Sequence, residues 1–386
     1  MEEVWKGVDR FLDEYVRVRS DDRVILAYTP DSREAAAWVL ATLTARHIRT
    51  DALAMAPIED EGFPRRLAAV LPSPEQLTGR LVVITAERDT MSHTQVFRQA
   101  LGAYDKDSWV VARMISSSEE FFTHGMRMGA EELSRRNTAV LERLVDARKL
   151  RVTTPSGSDL AIDLDPEYRW LSNRGAYRPG GFMVMPPGEV ATYPHAVNGV
   201  LVADGAFNIN VFTQLDARLK DSPVTIDIVD GKAVNYSTSD AKLREMLRLV
   251  FGTPNATRVG ELGFGTNAGV PEYVPMNCHI NERRPGLHLG FGQHNQSIYV
   301  VDYLCDLHCD FICDGGVIHI DGDPDPIDLD DLTPSDAEHP FLVMDEDIDG
   351  DCCGLWLDDL RAGHCVPRGF PPPEHGRAIP RPSERG

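Results

Sequence analysis

The chain has 386 residues, 42% of them hydrophobic, and a formal net charge of −21. That length exceeds one ordinary domain and the apolar fraction suffices for proper cores, while so negative a charge repels phosphates and excludes electrostatic capture of nucleic acid or of an anionic membrane. The start, Met1-Glu2-Glu3-Val4-Trp5-Lys6, has no basic region leading into an apolar stretch, and the seven cysteines all fall between Cys278 and Cys365, so a soluble cytoplasmic protein with reduced thiols is expected.

Residues 1–150 alternate helical and strand signals. Val4, Val8, Phe11, Leu12 and Tyr15 recur at helical spacing, and Val24-Ile25-Leu26-Ala27-Tyr28 is a short apolar strand. Asp31 and Ser32 suit the cap of a helix through Ala41, and further strands are expected at residues 81–84 and 109–112. A helix over residues 130–150, with Leu133, Val140, Leu141, Leu144 and Val145 on its apolar stripe, closes this half. The pattern is that of an α/β scaffold domain with a mostly parallel sheet. Neither a Gly-x-Gly-x-x-Gly after the first strand nor a Walker-type loop is present, so nothing supports nucleotide binding.

From Arg151 the texture changes. Residues 150–154 and 160–164 flank Ser156-Gly157-Ser158-Asp159 as a hairpin, Val224-Thr225-Ile226-Asp227-Ile228 runs into the turn Asp230-Gly231, and Leu243, Met246, Leu247 and Val250 mark a helix before Gly252. Residues 151–322 read as an α+β domain, and residues 323–386 as an acidic extension with a Pro/Arg-rich, disordered tail. Between Ile320 and Leu360 stand thirteen Asp and two Glu without a Lys or Arg. Asp345, Asp347, Asp349 and Gly350 imitate the opening of a calcium loop, but its twelfth position is Trp356 where a bidentate Glu is required. The expectation is a solvated extension packed through Phe341, Leu342, Leu355 and Trp356.

Chemistry concentrates in the second half. If Cys305-Asp306-Leu307-His308-Cys309-Asp310-Phe311-Ile312 is extended, His308 and Asp310 share one face and Cys309 takes the other. Cys305, Cys309 and Cys313 recur every four residues, yet their neighbours are strand formers, so buried thiols are expected rather than a thiolate cluster. Upstream, Pro186-Pro187-Gly188-Glu189-Val190, Gly260-Glu261-Leu262-Gly263-Phe264-Gly265 and Gly286-Leu287-His288-Leu289-Gly290 each carry a potential ligand between turn-forming residues. Each has an ordinary reading alone: a loop carboxylate for Glu189, a hydrogen-bonded core imidazole for His288. Together, Glu189, Glu261, His288, His308 and Asp310 suit two adjacent divalent ions bridged by a carboxylate, and hydrolysis is the reaction that asks least of them. Glu189 would also take a proton from the attacking water. His195 could donate a proton or hold a substrate carboxylate, although a His beside Pro194 also suits the surface. Tyr177, Phe182 and Met183 would line the substrate pocket if the segment before Glu189 does.

These motifs, with Pro194, Asn198-Gly199, Asn295-Gln296-Ser297 and Asp321-Gly322 in order, resemble the thermophilic metallo-aminopeptidases of the aminopeptidase T and S type over about residues 150–322. The resemblance implies an aminopeptidase T-like fold and a site of two ions, zinc or cobalt, on Glu189, Glu261, His288, His308 and Asp310. It also implies a homodimer that removes amino-terminal residues from peptides. That family places a catalytic Tyr where this chain has Asn295, with His294 or Tyr299 as substitutes. The chain also resembles, more distantly, the 2,5-dihydroxypyridine dioxygenases, which carry His where this chain has Glu261. Their facial arrangement on iron(II) implies oxidative chemistry on a small aromatic or amino-acid-derived substrate, using His288, His308 and Asp310. A member that has lost catalysis and serves as a binding subunit is the third reading.

Overall fold

The computed structural model describes residues 1–340, together with the backbone of 344–345 and 355–356. The calcium-like loop, Phe341, Leu342 and the Pro/Arg-rich tail therefore lie outside the described residues. The backbone of Leu355–Trp356 pairs with Val211–Phe212.

Runs such as Leu81–Ala86 and Trp109–Met114 are buried at every position, the mark of strands covered on both faces. They form a five-stranded parallel sheet in the order Arg49–Ala54, Arg23–Tyr28, Leu81–Ala86, Trp109–Met114, Phe182–Met185. Alternation divides its side chains. Leu26, Ile84 and Ala112 pack with Val8, Phe11, Val39 and Leu43 from helices Glu2–Arg10 and Arg33–Ala45 and the turn Phe11–Tyr15. On the opposite face Ile25, Val83 and Val111 pack with Phe63, Leu67, Phe97 and Leu101 of helices Phe63–Val70 and Thr94–Leu101.

The last strand of this sheet comes from beyond residue 150, and Met183, Met185, Val270, Val274 and Ile280 join the cluster of Val4 and Val8. The parallel layer thus draws on both halves of the sequence. Phe182 and Met183 are core residues of that layer, and Tyr177 is engaged by Arg80. The helix expected to reach residue 150 is Ala130–Leu144, because Lys149–Thr153 is drawn into a hairpin with Asp159–Asp163.

Two seven-stranded sheets make up the rest. One is antiparallel throughout: Lys232–Ser237, Val224–Val229, Ala196–Ala203, Asp159–Asp163, Lys149–Thr153, Val317–Ile320, Ile327–Asp328. The other runs Ala206–Ile209, His308–Ile312, Gly286–Gly292, Val259–Gly265, Glu189–Thr192, Leu171–Asn173, Met344–Asp345, with only the last pair parallel. Their apolar faces share one core with Leu243, Met246, Leu247 and Val250 of helix Ala241–Gly252, which is capped by Asp240 accepting from the Leu243 N–H at 2.8 Å. Cys309 and Cys313 are buried free thiols in that core, and the described residues contain no cysteine cluster. No helix among them is long and apolar enough to cross a membrane.

Candidate metal centre

The second sheet has two different faces. Leu262, Phe264, Leu287, Leu289, Phe291, Cys309 and Phe311 fill its back and are fully buried. Period-two alternation then turns Gly263, His288, Gly290, Gly292, His308 and Asp310 to the front. Glu261 reaches the front through a bulge at Gly260. Val259 pairs with Phe291 and belongs to the back core, whereas Glu261, two residues on, pairs with Gly290; the extra residue switches the strand's parity. Only glycine fits there, since a Cβ on residue 260 would meet the carbonyl oxygens of Gly292 and Gln293 at 2.7 Å.

Each donor has a glycine beside it on a neighbouring strand: Glu261 opposite Gly290, His288 opposite Gly263, Glu189 opposite Gly265, Asp310 opposite Gly290 and His308 opposite Gly292. The glycines leave the space the donors occupy. A Cβ at Gly290 would lie 2.7 Å from Asp310 Oδ1 and 2.7 Å from His308 Cε1, and one at Gly263 would enter the His288 imidazole.

All five residues singled out in the sequence meet on this face. Their donor atoms form two triads, Glu189–Glu261–His288 and Glu261–His308–Asp310, with the atoms of each within 4.8 Å of one another. Glu261 belongs to both. His288 Nε2 lies 2.8 Å from Glu189 Oε1 and 3.6 Å from Glu261 Oε1, and His308 Nε2 lies 3.2 Å from Asp310 Oδ1. His308 Nδ1 donates to the Gln293 carbonyl at 2.8 Å, which orients the ring and leaves Nε2 for a ligand role.

Two residues that sequence reasoning missed complete the site. Glu282 and Arg283 sit in the short helix Ile280–Arg283, both buried. Arg283 contacts Glu189 Oε2 and donates from Nε to the Pro186 carbonyl at 3.0 Å, while Glu282 accepts from Asn208 Nδ2. Burial and the neighbouring Asp310 charge hold the Glu282 carboxyl well above the usual carboxylate range. Asp310 is held below that range: burial opposes ionisation, but the His308 charge outweighs it. His308 is itself lowered by burial and raised further by Asp310, ending at about 10. The only sequence signal for the missed pair is charge in Asn-Glu-Arg-Arg directly before the strand that carries His288.

The three proposed auxiliary residues are placed elsewhere. Tyr299 is 85% exposed. His195 is an exposed histidine stacked on Tyr168, 3.8 Å from Asp165. His294 has both ring nitrogens committed, Nε2 donating to the Tyr303 carbonyl at 2.8 Å and Nδ1 accepting the Gln296 N–H at 3.2 Å, so it fixes a loop and has no free nitrogen for proton transfer. Burial holds its pKa below the ordinary imidazole value.

The donor set fits divalent ions. Three carboxylates crowd one largely buried face with two imidazoles, Asp310 Oδ1 faces no donor but the His308 ring, and His288 Nδ1 has no hydrogen-bond partner among the described residues. The mix of imidazole and oxygen donors is that of zinc, cobalt, manganese or iron.

Comparison of the fold with solved structures finds 2,5-dihydroxypyridine dioxygenase from Pseudomonas putida KT2440, with a TM-score of 0.56 and 15% identity over 83% of this chain and 94% of that chain. It also finds wild-type AmpT from Thermus thermophilus, with a TM-score of 0.51 and 14% identity over 84% of this chain and 97% of that one. The chain shares its fold with both. The family described as NicX: 2,5-dihydroxypyridine 5,6-dioxygenase matches residues 110–285, a stretch that includes Glu189 and Glu261 and ends before His288. Comparison with curated proteins finds no match. At such identities the two structures establish the architecture and leave the chemistry to the residues of this chain.

Proposed function

We propose that this protein is a metal-dependent hydrolase of aminopeptidase-like chemistry, acting on an amide bond of a small peptide or amino-acid-derived molecule. Glu261, His288, His308 and Asp310 would hold a pair of divalent ions, zinc or cobalt, with Glu189 beside them as the base. The observation that carries this reading is the membership of Glu261 in both triads. A carboxylate can bridge two ions, whereas an imidazole nitrogen binds one. The ions, when bound, supply a water of lowered pKa and a Lewis acid for the carbonyl and its developing oxyanion.

The chain's own residues divide the remaining work. Arg283 fixes Glu189 through Oε2, which leaves Oε1 turned toward His288 and Glu261 to accept the proton of the attacking water. Gln293 sets the His308 tautomer.

A second reading is an iron(II) oxygenase centred on the triad Glu261–His308–Asp310, favoured by the family match over residues 110–285. Against it stands Glu261 itself, an anion where those dioxygenases carry a neutral ring.

The discriminating experiment is metal analysis of protein purified without chelator, followed by assay on aminoacyl amides with and without oxygen. Two ions per chain are expected, with chelator-abolished turnover restored by zinc, cobalt or manganese and indifferent to oxygen. Turnover that needs iron(II) and consumes oxygen would establish the oxygenase instead. Loss of amidase turnover in Glu189→Gln, with folding intact, separates a catalyst from a binding subunit.

A further inference from the structure

Where the metallo-aminopeptidases place a tyrosine, this chain has Asn295, and its side chain is tied to the carboxylate common to both triads. Asn295 Nδ2 donates to Glu261 Oε2 at 3.2 Å. A side-chain amide can be turned either way round, so its direction depends on what holds its other end. That holder is Gln296, a buried neighbour. Gln296 Oε1 accepts the Arg169 N–H at 3.0 Å and its Nε2 donates to the Arg169 carbonyl at 3.1 Å, so one backbone residue fixes both ends of the Gln296 amide. Nε2 then has one hydrogen left, and it meets Asn295 Oδ1 at 2.7 Å. With its oxygen taken, Asn295 can present only N–H to Glu261. The Arg169 carbonyl also accepts Thr192 Oγ1 at 3.0 Å, on the strand that begins at Glu189. The chain of hydrogen bonds thus starts on one ligand strand and ends on the shared carboxylate.

We propose that Asn295 is a positioning residue for Glu261, aimed by the Gln296 clamp, and that it serves to keep this carboxylate bridging. The inference rests on the paired-ion reading above. A glutamate free to turn about its last bond would swing both oxygens onto one ion and release the other. Here Oε2 takes the Asn295 N–H while Oε1 is turned to the His288 side, 3.6 Å from Nε2, so the amide sets the carboxylate plane through its outer oxygen. The role differs from that of a proton-donating tyrosine, because it acts on ion occupancy rather than on the leaving group.

The test uses full-length protein stripped of metal and titrated with cobalt(II) by calorimetry, with the visible cobalt spectrum recorded in parallel. Wild type is compared with Asn295→Asp and Gln296→Ala. Asn295→Asp keeps shape and volume but removes the N–H, so folding is spared. Its added charge alone would strengthen cation binding, and weakening therefore reports lost positioning. We expect both variants to keep the first ion at wild-type affinity and to bind the second about ten- to a hundredfold more weakly, with an altered cobalt spectrum. Two ions bound as in wild type, or tighter binding by Asn295→Asp, would overturn the positioning role and leave the functional reading standing. A wild type that takes up no second ion would sink the paired-ion reading itself.

Discussion

Among the described residues a buried arginine meets a buried glutamate both beside the parallel sheet and at the candidate metal centre, and the surroundings differ. In the parallel sheet Arg113 meets Glu87 at 3.0 Å and donates also to Thr85 Oγ1, Thr94 Oγ1 and the Ser92 carbonyl, while Glu87 Oε2 accepts from Thr90 Oγ1 and from the Ser92 N–H. Every charge-bearing atom has a partner, which is what a buried pair needs in order to be tolerated. At the metal centre Arg283, in the short helix Ile280–Arg283, meets Glu189, Asp310 Oδ1 faces no donor but the His308 ring, and His288 Nδ1 is buried with no hydrogen-bond partner among the described residues. The first arrangement is closed and belongs to the scaffold. The second is incomplete on the protein's own atoms, as the proposed ion site requires.

This contrast breaks if the two regions respond alike to mutation. The largest effect is expected from Glu261→Ala, which removes a donor from both triads: cobalt or zinc affinity measured by calorimetry should fall about a thousandfold or more, while the thermal unfolding midpoint of the metal-free protein stays put or rises. Arg113→Met should do the reverse. It leaves Glu87 buried and unpaired and is expected to lower the unfolding free energy in urea by about 3–5 kcal/mol, with metal uptake unchanged. Loss of metal binding in Arg113→Met, or of global stability in Glu261→Ala, would erase the distinction.

The pH response sharpens it. In the metal-free protein burial lowers the His308 pKa, but the Asp310 and Glu261 charges raise it further, from the ordinary 6.5 to about 10. An ion must displace that proton, so affinity should rise roughly tenfold per pH unit from about pH 7 to 9 and level off above 10. The same linkage means the metal-free protein carries stability from the protonated ring in full below pH 6.5 and loses it as pH climbs through about 10. A flat affinity profile would show that this ring takes no part. The smallest effect is expected from Gly290→Ala, whose Cβ would crowd Asp310 and His308. It should weaken metal binding about tenfold, on the scale of losing an outer-shell partner, and leave the fold intact.

Much of the site is legible in the sequence because strands write their two faces as alternate letters. Gly-Glu-Leu-Gly-Phe-Gly and Gly-Leu-His-Leu-Gly-Phe-Gly spell a bare front and an apolar back, and His308 and Asp310 on one side of Cys309 follow from the same period. The parallel sheet is readable from its continuous apolar runs. Glu282 and Arg283 are hidden because a single helical turn has no periodicity, and charged residues before Pro285 read as a surface turn. Phe182–Met185 joins a sheet whose other strands end some seventy residues earlier in the chain, a pairing that no local pattern encodes. His294, His195 and Tyr299 illustrate the converse: a chemically able side chain near a motif acquires a role only through what it touches.

The one-sided construction of the site sheet has an evolutionary corollary. Because Leu262, Phe264, Leu287, Leu289, Phe291 and Phe311 anchor it from behind, exchanging a donor on the opposite face leaves the packing that holds the strands untouched. Such a platform can trade one ligand for another, and with it one kind of reaction for another, without relearning how to fold.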